Sequence, residues 1–194
     1  YQPFIFITLT IIFGKLINLS NDQLITMHSF QVRGGKKLKG EIVPQGAKNE
    51  ALQIISAVLL TAEPVTITNI PDILDVNLLI ELLQEMKVKV DRPQRDTCTF
   101  IADDVDVDYL HSETFRKKSG RLRGSVMLAG PMLARYKKAF IPKPGGDKIG
   151  RRRLDTHIIG FEKLGAAFDY HPEDGFFHLT TPQLQGTTMM LDEP

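Results

Sequence analysis

Two segments of this chain leave water no face to touch. Residues 51–62, ALQIISAVLLTA, and 125–134, SVMLAGPMLA, are apolar on nearly every side of a helix. A surface helix carries a polar stripe, so both segments are expected as buried helices. Each is followed by the same series. After the first come the β-branched PVTITNIP, an amphipathic DVNLLIELLQEM with Leu78, Leu79, Leu82, Leu83 and Met86 on one side, and the strand patterns KVKV and TCTFIA. After the second come AFIPKP, the helical LDTHIIGFEKLGA, and AFDYHPEDGFFHLTTP, which reads as two strands joined by a turn at 172–175. LLQEMKVKV and GFEKLGAAFDY echo each other about 78 positions apart. A repeated supersecondary unit is implied. Its apolar helices have to lie inside and its sheets outside, which predicts an α/β, inside-out barrel of repeated units: opening strands plus about two repeats.

The ends read differently. Residues 1–26 hold an apolar run from Phe4 to Phe13. It falls short of the roughly 20 apolar residues that span a bilayer, and lacks the basic start and small-residue cleavage site of a signal peptide. Met27 opens a hydrophilic strand pattern, SFQVRGGKKLKGEIVPQG, expected as two short strands. Residues 1–26 are therefore read as an upstream or non-native extension, with a membrane anchor as the rival. Residues 27–47 are read as strands that would pair with a missing second domain, and 48–194 as a partial first domain. The final TTMMLDEP closes no element, which predicts truncation there.

Charge is informative only locally. The chain's net charge is +1, so no global field draws it to nucleic acid or anionic membrane. From Arg116 to Arg153, however, there are thirteen Lys or Arg and one acid, Asp147. The single cysteine, Cys98, excludes an internal disulfide and fits a reducing, cytoplasmic compartment. It sits in an apparent strand, as a packed thiol rather than a nucleophile. His111, His157, His171 and His178 show no metal-ligand spacing, and no Ser-His-Asp set is evident.

Three stretches carry possible chemistry. Gly46-Ala47-Lys48-Asn49 opens the first apolar helix, where unpaired amides favour anions. Lys48 adds charge there or is solvated, and Asn49 caps the helix or bonds a ligand. RKKSGRLRG (116–124) holds the same place before the second apolar helix. Lys117 and Lys118 read as a solvated loop, while Arg123 is the residue most apt to face a site. PKPGGDKIGRRRLDTH (142–157) combines Gly-Gly, the forked donors of Arg151–Arg153, and Asp155, a cap or a ligand contact. A flexible charged loop is the plain alternative, and residues 142–153 are expected to be poorly ordered without ligand, because Gly, Pro and like charges dominate them.

Together, LKGEIVPQGAKNEAL, RGSVMLAGPMLAR and PGGDKIGRRRLDTHIIGFEKLGA resemble the enolpyruvyl transferases from Met27 onward. The GAKN and PGG…IG.R..D.H patterns are similar to the branch that acts on a UDP-sugar. They point away from the shikimate-pathway sister, a 3-phosphoshikimate 1-carboxyvinyltransferase-like enzyme, which stays as an alternative. The resemblance implies a two-domain fold of three repeats each, with helices inside, and a chain roughly twice this length. It implies transfer of the enolpyruvyl group of phosphoenolpyruvate to the 3′-hydroxyl of UDP-N-acetylglucosamine, the first committed step of peptidoglycan synthesis, with no metal or organic cofactor. The implied partners are those small molecules and the second domain, not nucleic acid or membrane. Carried over, Lys48 and Asn49 match residues that bind phosphoenolpyruvate and the sugar. Arg123 matches an arginine on substrate phosphate or sugar. Arg152, Arg153, Leu154, Asp155 and Thr156, with His157, match the segment that holds the uridine nucleotide. Where most members keep a cysteine this chain has Asp147, which implies a carboxyl proton donor that no thiol-directed fosfomycin reaches. A basic-loop nucleic-acid module remains the other class. Thirteen basic residues suit a phosphate backbone, but only Tyr136 and Phe140 are there to stack on bases.

Overall fold

A computed structural model describes residues 8–16, 25–33, 39–142, 154–172 and 175–190. The chain divides into two compact units, Tyr1–Pro44 and Gln45–Pro194. In the first, β1 (Thr8–Leu16) pairs antiparallel with β2 (Ile25–Arg33), from Thr8 opposite Arg33 to Leu16 opposite Ile25. The second strand expected ahead of Gln45 does not form. Residues 41–47 run without regular structure, and no described strand lies beside them to complete a ladder.

The second unit is built twice on one plan. The first copy runs α1 (Lys48–Ala57), a 3-10 turn Val58–Leu60, β3 (Val65–Ile67), α2 (Leu74–Glu85), β4 (Lys89–Gln94) and β5 (Thr97–Ile101). A 3-10 turn Asp108–His111 and α3 (Glu113–Ser119) lead onward. The second copy runs from a 3-10 turn Arg123–Leu128 through α4 (Ala129–Tyr136), β6 (Lys138–Pro142), α5 (Asp155–Lys163), β7 (Ala167–His171) and β8 (Phe176–Thr180). Both sheets are antiparallel with the third strand central, in the orders β3-β5-β4 and β6-β8-β7. Pro93, which has no N–H to give, lies on the edge strand β4 where the register slips between Asp91 and Gln94.

The shared plan extends to the joints. α2 and α5 end in the same paired motif before their strands. Lys87 N–H bonds Gln84 O at 2.9 Å and Val88 N–H bonds Leu83 O at 3.0 Å. In the second copy Gly165 N–H bonds Glu162 O at 2.9 Å and Ala166 N–H bonds Phe161 O at 2.9 Å. The motif needs a left-handed residue, supplied by Gly165 at φ +91° and, at some cost, by Lys87 at φ +66°.

The core fills the space between helices and sheets. Ile55 and Leu59 from the first central segment, Met132 and Leu133 from the second, and Leu79, Leu82 and Leu83 from α2 are wholly enclosed. Cys98 and Phe100 of β5 and Phe176 and Leu179 of β8 close it from the sheets. Burial pushes the Cys98 thiol up, as expected for a packed rather than a reactive cysteine.

Two expectations need correction. The second apolar segment is covered throughout, with no exposed residue from Leu122 to Tyr136. The first is not: Ile54 is 43% exposed and Leu60 52%. α1 packs chiefly on α2 and on the 123–128 turn, and its 58–60 turn on α4, which leaves these two side chains open to solvent. The second segment is also not one α-helix. Its first four residues belong to the tighter 3-10 turn Arg123–Leu128, and the α-register starts at Ala129, just before Pro131, whose ring and missing N–H suit a first turn and not a helix interior.

Arg135 ties the copies together. Its Nη1 donates to Leu59 O at 3.0 Å, Thr61 O at 2.8 Å and Ala102 O at 2.9 Å, carbonyls at the end of the first central segment and of β5.

The joint motif gives a stability test. At residue 87 a left-handed conformation costs a side chain about 1–2 kcal/mol. The extra chain freedom of glycine offsets about 0.5–1 kcal/mol of that relief. Lys87→Gly is expected to raise stability by about 0.5 kcal/mol, and Gly165→Ala to lower it by about 1 kcal/mol. Urea unfolding of both variants checks the signs; equal signs would contradict the motif.

Candidate active site

The central helices open onto one cleft. α1 begins without a side-chain cap: Ala47 stands at the cap position, and the first helical bond is Ala51 N–H to Ala47 O at 2.9 Å. The amides of Lys48, Asn49 and Glu50 precede that bond and have no partner within the helix. Asn49 is therefore not the cap but the second helical residue. The 3-10 turn at Arg123 starts alongside, close enough that a side chain at position 124 would have to displace the tip of Leu52. A Cβ there would lie 2.8 Å from Leu52 Cδ1. Leu154 occupies the cap position of α5, with Asp155 one residue inside, so Asp155 is not a cap either.

These three starts line a cavity of about 360 Å³. Lys48, Asn49, Arg123, Leu154 and His157 face it, joined by Gln53, Asp75, Arg121 and an apolar floor of Leu52, Val126 and Met127. Asp155 and Thr156 are half-buried on the same turn as Leu154 but are not among its walls. Asp147, Arg152 and Arg153 lie outside the described residues. Lys48 does not stand free in the cleft: its ammonium pairs with the Asp75 carboxylate, from the first turn of α2. Among the described residues, Lys48, Arg121 and Arg123 thus face one carboxylate, and the cleft favours an anion.

Asp75, Gln53 and Arg121 are not apparent from the sequence. Arg121 lies in the basic cluster before the second apolar helix, and proximity to Arg123 was the available signal. Nothing in the sequence around Asp75 sets it apart from an ordinary first-turn acid on an amphipathic helix.

The basic stretch before the cleft is more neutral than its composition suggests. Arg116, Lys117 and Lys118 lie on α3, not in a solvated loop, because Ser112 caps that helix by accepting Phe115 N–H at 3.0 Å. Lys117 pairs with Glu113 at 2.8 Å. Lys118 is held by Glu81 and by Glu85, the latter at 2.5 Å, and bonds to these carboxylates hold its pKa above the usual lysine range. Burial would raise the Glu85 pKa, but bonds from Lys118 and from the Tyr109 hydroxyl bring it below the usual value. Lys138 pairs with Asp108 at 2.6 Å. Phe140 packs with His111 and His178, ring centroids 5.0 and 4.9 Å away, and is no platform for a base. His111, His171 and His178 do gather in space, His171 stacked on His178 at 3.9 Å, although the sequence scatters them. No group of three or more His, Cys, Asp or Glu among the described residues is arranged to hold a metal ion. Nor is any described helix long and apolar enough to cross a membrane.

The fold of two central helices shielded by two antiparallel sheets has known counterparts. The family model described as EPSP synthase (3-phosphoshikimate 1-carboxyvinyltransferase) matches residues 32–193. The chain belongs to the EPSP synthase family. Among its relatives in that family, a UDP-N-acetylglucosamine 1-carboxyvinyltransferase of Porphyromonas gingivalis is 61% identical over 86% of this chain and 38% of its own length. An enzyme of the same name from Bacteroides thetaiotaomicron is 60% identical over the same shares. The chain thus spans about two fifths of the length of the curated relatives it matches. In the crystal structure of the enolpyruvyl transferase NikO from Streptomyces tendae the fold recurs with a TM-score of 0.63. That likeness covers 78% of this chain and 32% of the other, at 22% identity. The α/β class read from the repeats is the EPSP synthase fold.

The Gly124 contact is the local test. Gly124→Ala is expected to cost about 1–3 kcal/mol by crowding Leu52, and much less when Leu52 is also Ala. Denaturant unfolding of the single and double variants gives the coupling; strict additivity would mean the two residues do not meet.

Proposed function

We propose that this chain supplies the substrate cleft of an enzyme that moves the enolpyruvyl group of phosphoenolpyruvate onto the 3′-hydroxyl of UDP-N-acetylglucosamine. This would be the first committed step of peptidoglycan synthesis and so serve cell shape and division. The observation that carries the reading is the meeting of Lys48, Asn49, Arg123, Leu154 and His157, from three separate helix starts, around one cavity. Relatives about 60% identical bear the name of that activity, which favours it over the shikimate-pathway alternative. Pairing of Lys117, Lys118 and Lys138 with acids disfavours the nucleic-acid alternative.

In this reading Lys48 and the amides at the start of α1 hold phosphate or carboxylate charge. Arg123 offers a planar fork to an oxyanion, and Asn49 bonds the sugar. Arg152, Arg153, Leu154, Asp155 and Thr156, with His157, hold the nucleotide. The sugar oxygen bonds to C2 of phosphoenolpyruvate as its hydroxyl proton is given up, and a proton is added to the methylene carbon, making it a methyl group. Loss of one methyl proton and of phosphate from C2 restores the double bond. Asp147 is the donor we assign, as a neutral carboxyl. Neighbouring arginines favour its charged form, but the bound trianionic substrate and exclusion of water oppose it more strongly. A second domain of the same enzyme supplies the remaining contacts. No cofactor is assigned, and one reduced cysteine supports a cytoplasmic setting.

Calorimetric titration tests the cleft. The chain is expected to bind UDP-N-acetylglucosamine, with Arg123→Ala weakening it about tenfold or more, the loss of one charge-assisted fork. Generic RNA is expected to be lost steeply as salt rises. Retention of RNA in preference to the sugar nucleotide at about 0.2 M salt would sink the assignment.

Fosfomycin tests Asp147. A carboxylate cannot form the thioether that a thiol forms on opening the epoxide. The natural protein is expected to stay unlabelled by mass spectrometry, and Asp147→Cys to gain one adduct. Equal labelling of both would remove Asp147 from the role of proton donor.

A further inference from the structure

The Lys48–Asp75 pair is unusual for where it lies. Lys48 is the first residue of α1, Asp75 the second of α2, and both side chains line the cleft rather than the outer surface. The helices pack on each other, so their first turns are held side by side. Asp75 lies in the first turn of α2, where the helix amides suit a carboxylate. Lys48 is the mobile partner: its side chain is 48% exposed, and an ammonium on a four-carbon stem turns its three donors at little cost.

From this geometry we infer that Asp75 is a positioning residue that acts through Lys48. With the cleft empty, its carboxylate occupies the lysine as an internal counter-ion. An incoming phosphate or carboxylate has to take the ammonium over. This rests on the reading that the cleft binds an anionic substrate. Two consequences separate it from a structural role. The pair keeps the lysine head inside the cleft, aimed at the place an anion will occupy. It also weakens binding, because the anion has to win Lys48 from Asp75 and then lie near a like charge. Exposed pairs contribute little, so the exchange is small for a multiply charged anion. A neutral ligand has nothing to exchange, and Asp75 leaves its affinity untouched.

The test is a double-mutant cycle with phosphoenolpyruvate as the probe, followed by phosphorus NMR or calorimetry on the whole chain. Asp75→Asn keeps the shape and removes the charge. It is expected to tighten binding by about 2- to 5-fold, the range set by a partly exposed pair. Lys48→Met is expected to weaken binding, and in that background the gain from Asp75→Asn should shrink toward 1-fold. Circular dichroism and the thermal midpoint of each variant show whether it folds. Weaker binding by a folded Asp75→Asn, or an equal gain with and without Lys48, overturns the role of Asp75 alone. No binding by the natural chain, or binding that Lys48→Met leaves unchanged, overturns the reading of the cleft itself.

Discussion

Two helical segments that are apolar on nearly every side have to be shielded, the second throughout and the first on its inner side, and most of the second unit serves that requirement. Each copy supplies one such segment and the sheet and amphipathic helix that shield it. The two segments meet side by side through the close contact of Gly124 with Leu52, which a methyl group would disturb. Burying a helix leaves its ends to be satisfied, because the first amides and last carbonyls have no partners inside it. The ends here are handled oppositely. At the carbonyl end of the first segment Arg135 reaches in from α4 and bonds the Leu59 and Thr61 oxygens. At the amide ends there is open space lined by Lys48, Asn49, Arg121 and Arg123.

Function and fold therefore share one cause. Side-by-side central helices, joined at their carbonyl ends, bring their amide ends to one place, and that place favours anions before any side chain is added. Basic side chains at the helix starts add to the field, and Asp75 moderates it. The apolar floor of Leu52, Val126 and Met127 limits water beneath the polar rim, which strengthens each charge interaction above it.

The repeat, the burial of the second central segment and the packed state of Cys98 were legible in the residues. They are properties of side-chain periodicity, which a local window carries. The features that were not legible share a different character. The uncovered side of α1, at Ile54 and Leu60, depends on what packs beside it, which periodicity does not record. Lys118 looked solvated because its partners Glu81 and Glu85 lie on another helix. Asn49 and Asp155 looked like caps because a cap is defined by backbone geometry one residue to either side, and Ala47 and Leu154 hold those positions instead.

By itself the sequence determined which two segments are almost wholly apolar, that they come in two similar copies, and that basic residues stand at the start of each. Hydrophobic patterning and helix-start chemistry are local, so the chain states them outright. Tertiary structure alone decided that Lys48, Asn49, Arg123, Leu154 and His157 face a common cavity, that Arg121 and Asp75 belong with them, and that Lys48 already has a partner. Charge pairing acts through space over a few ångströms, and only the folded chain brings residues so far apart in sequence within that reach.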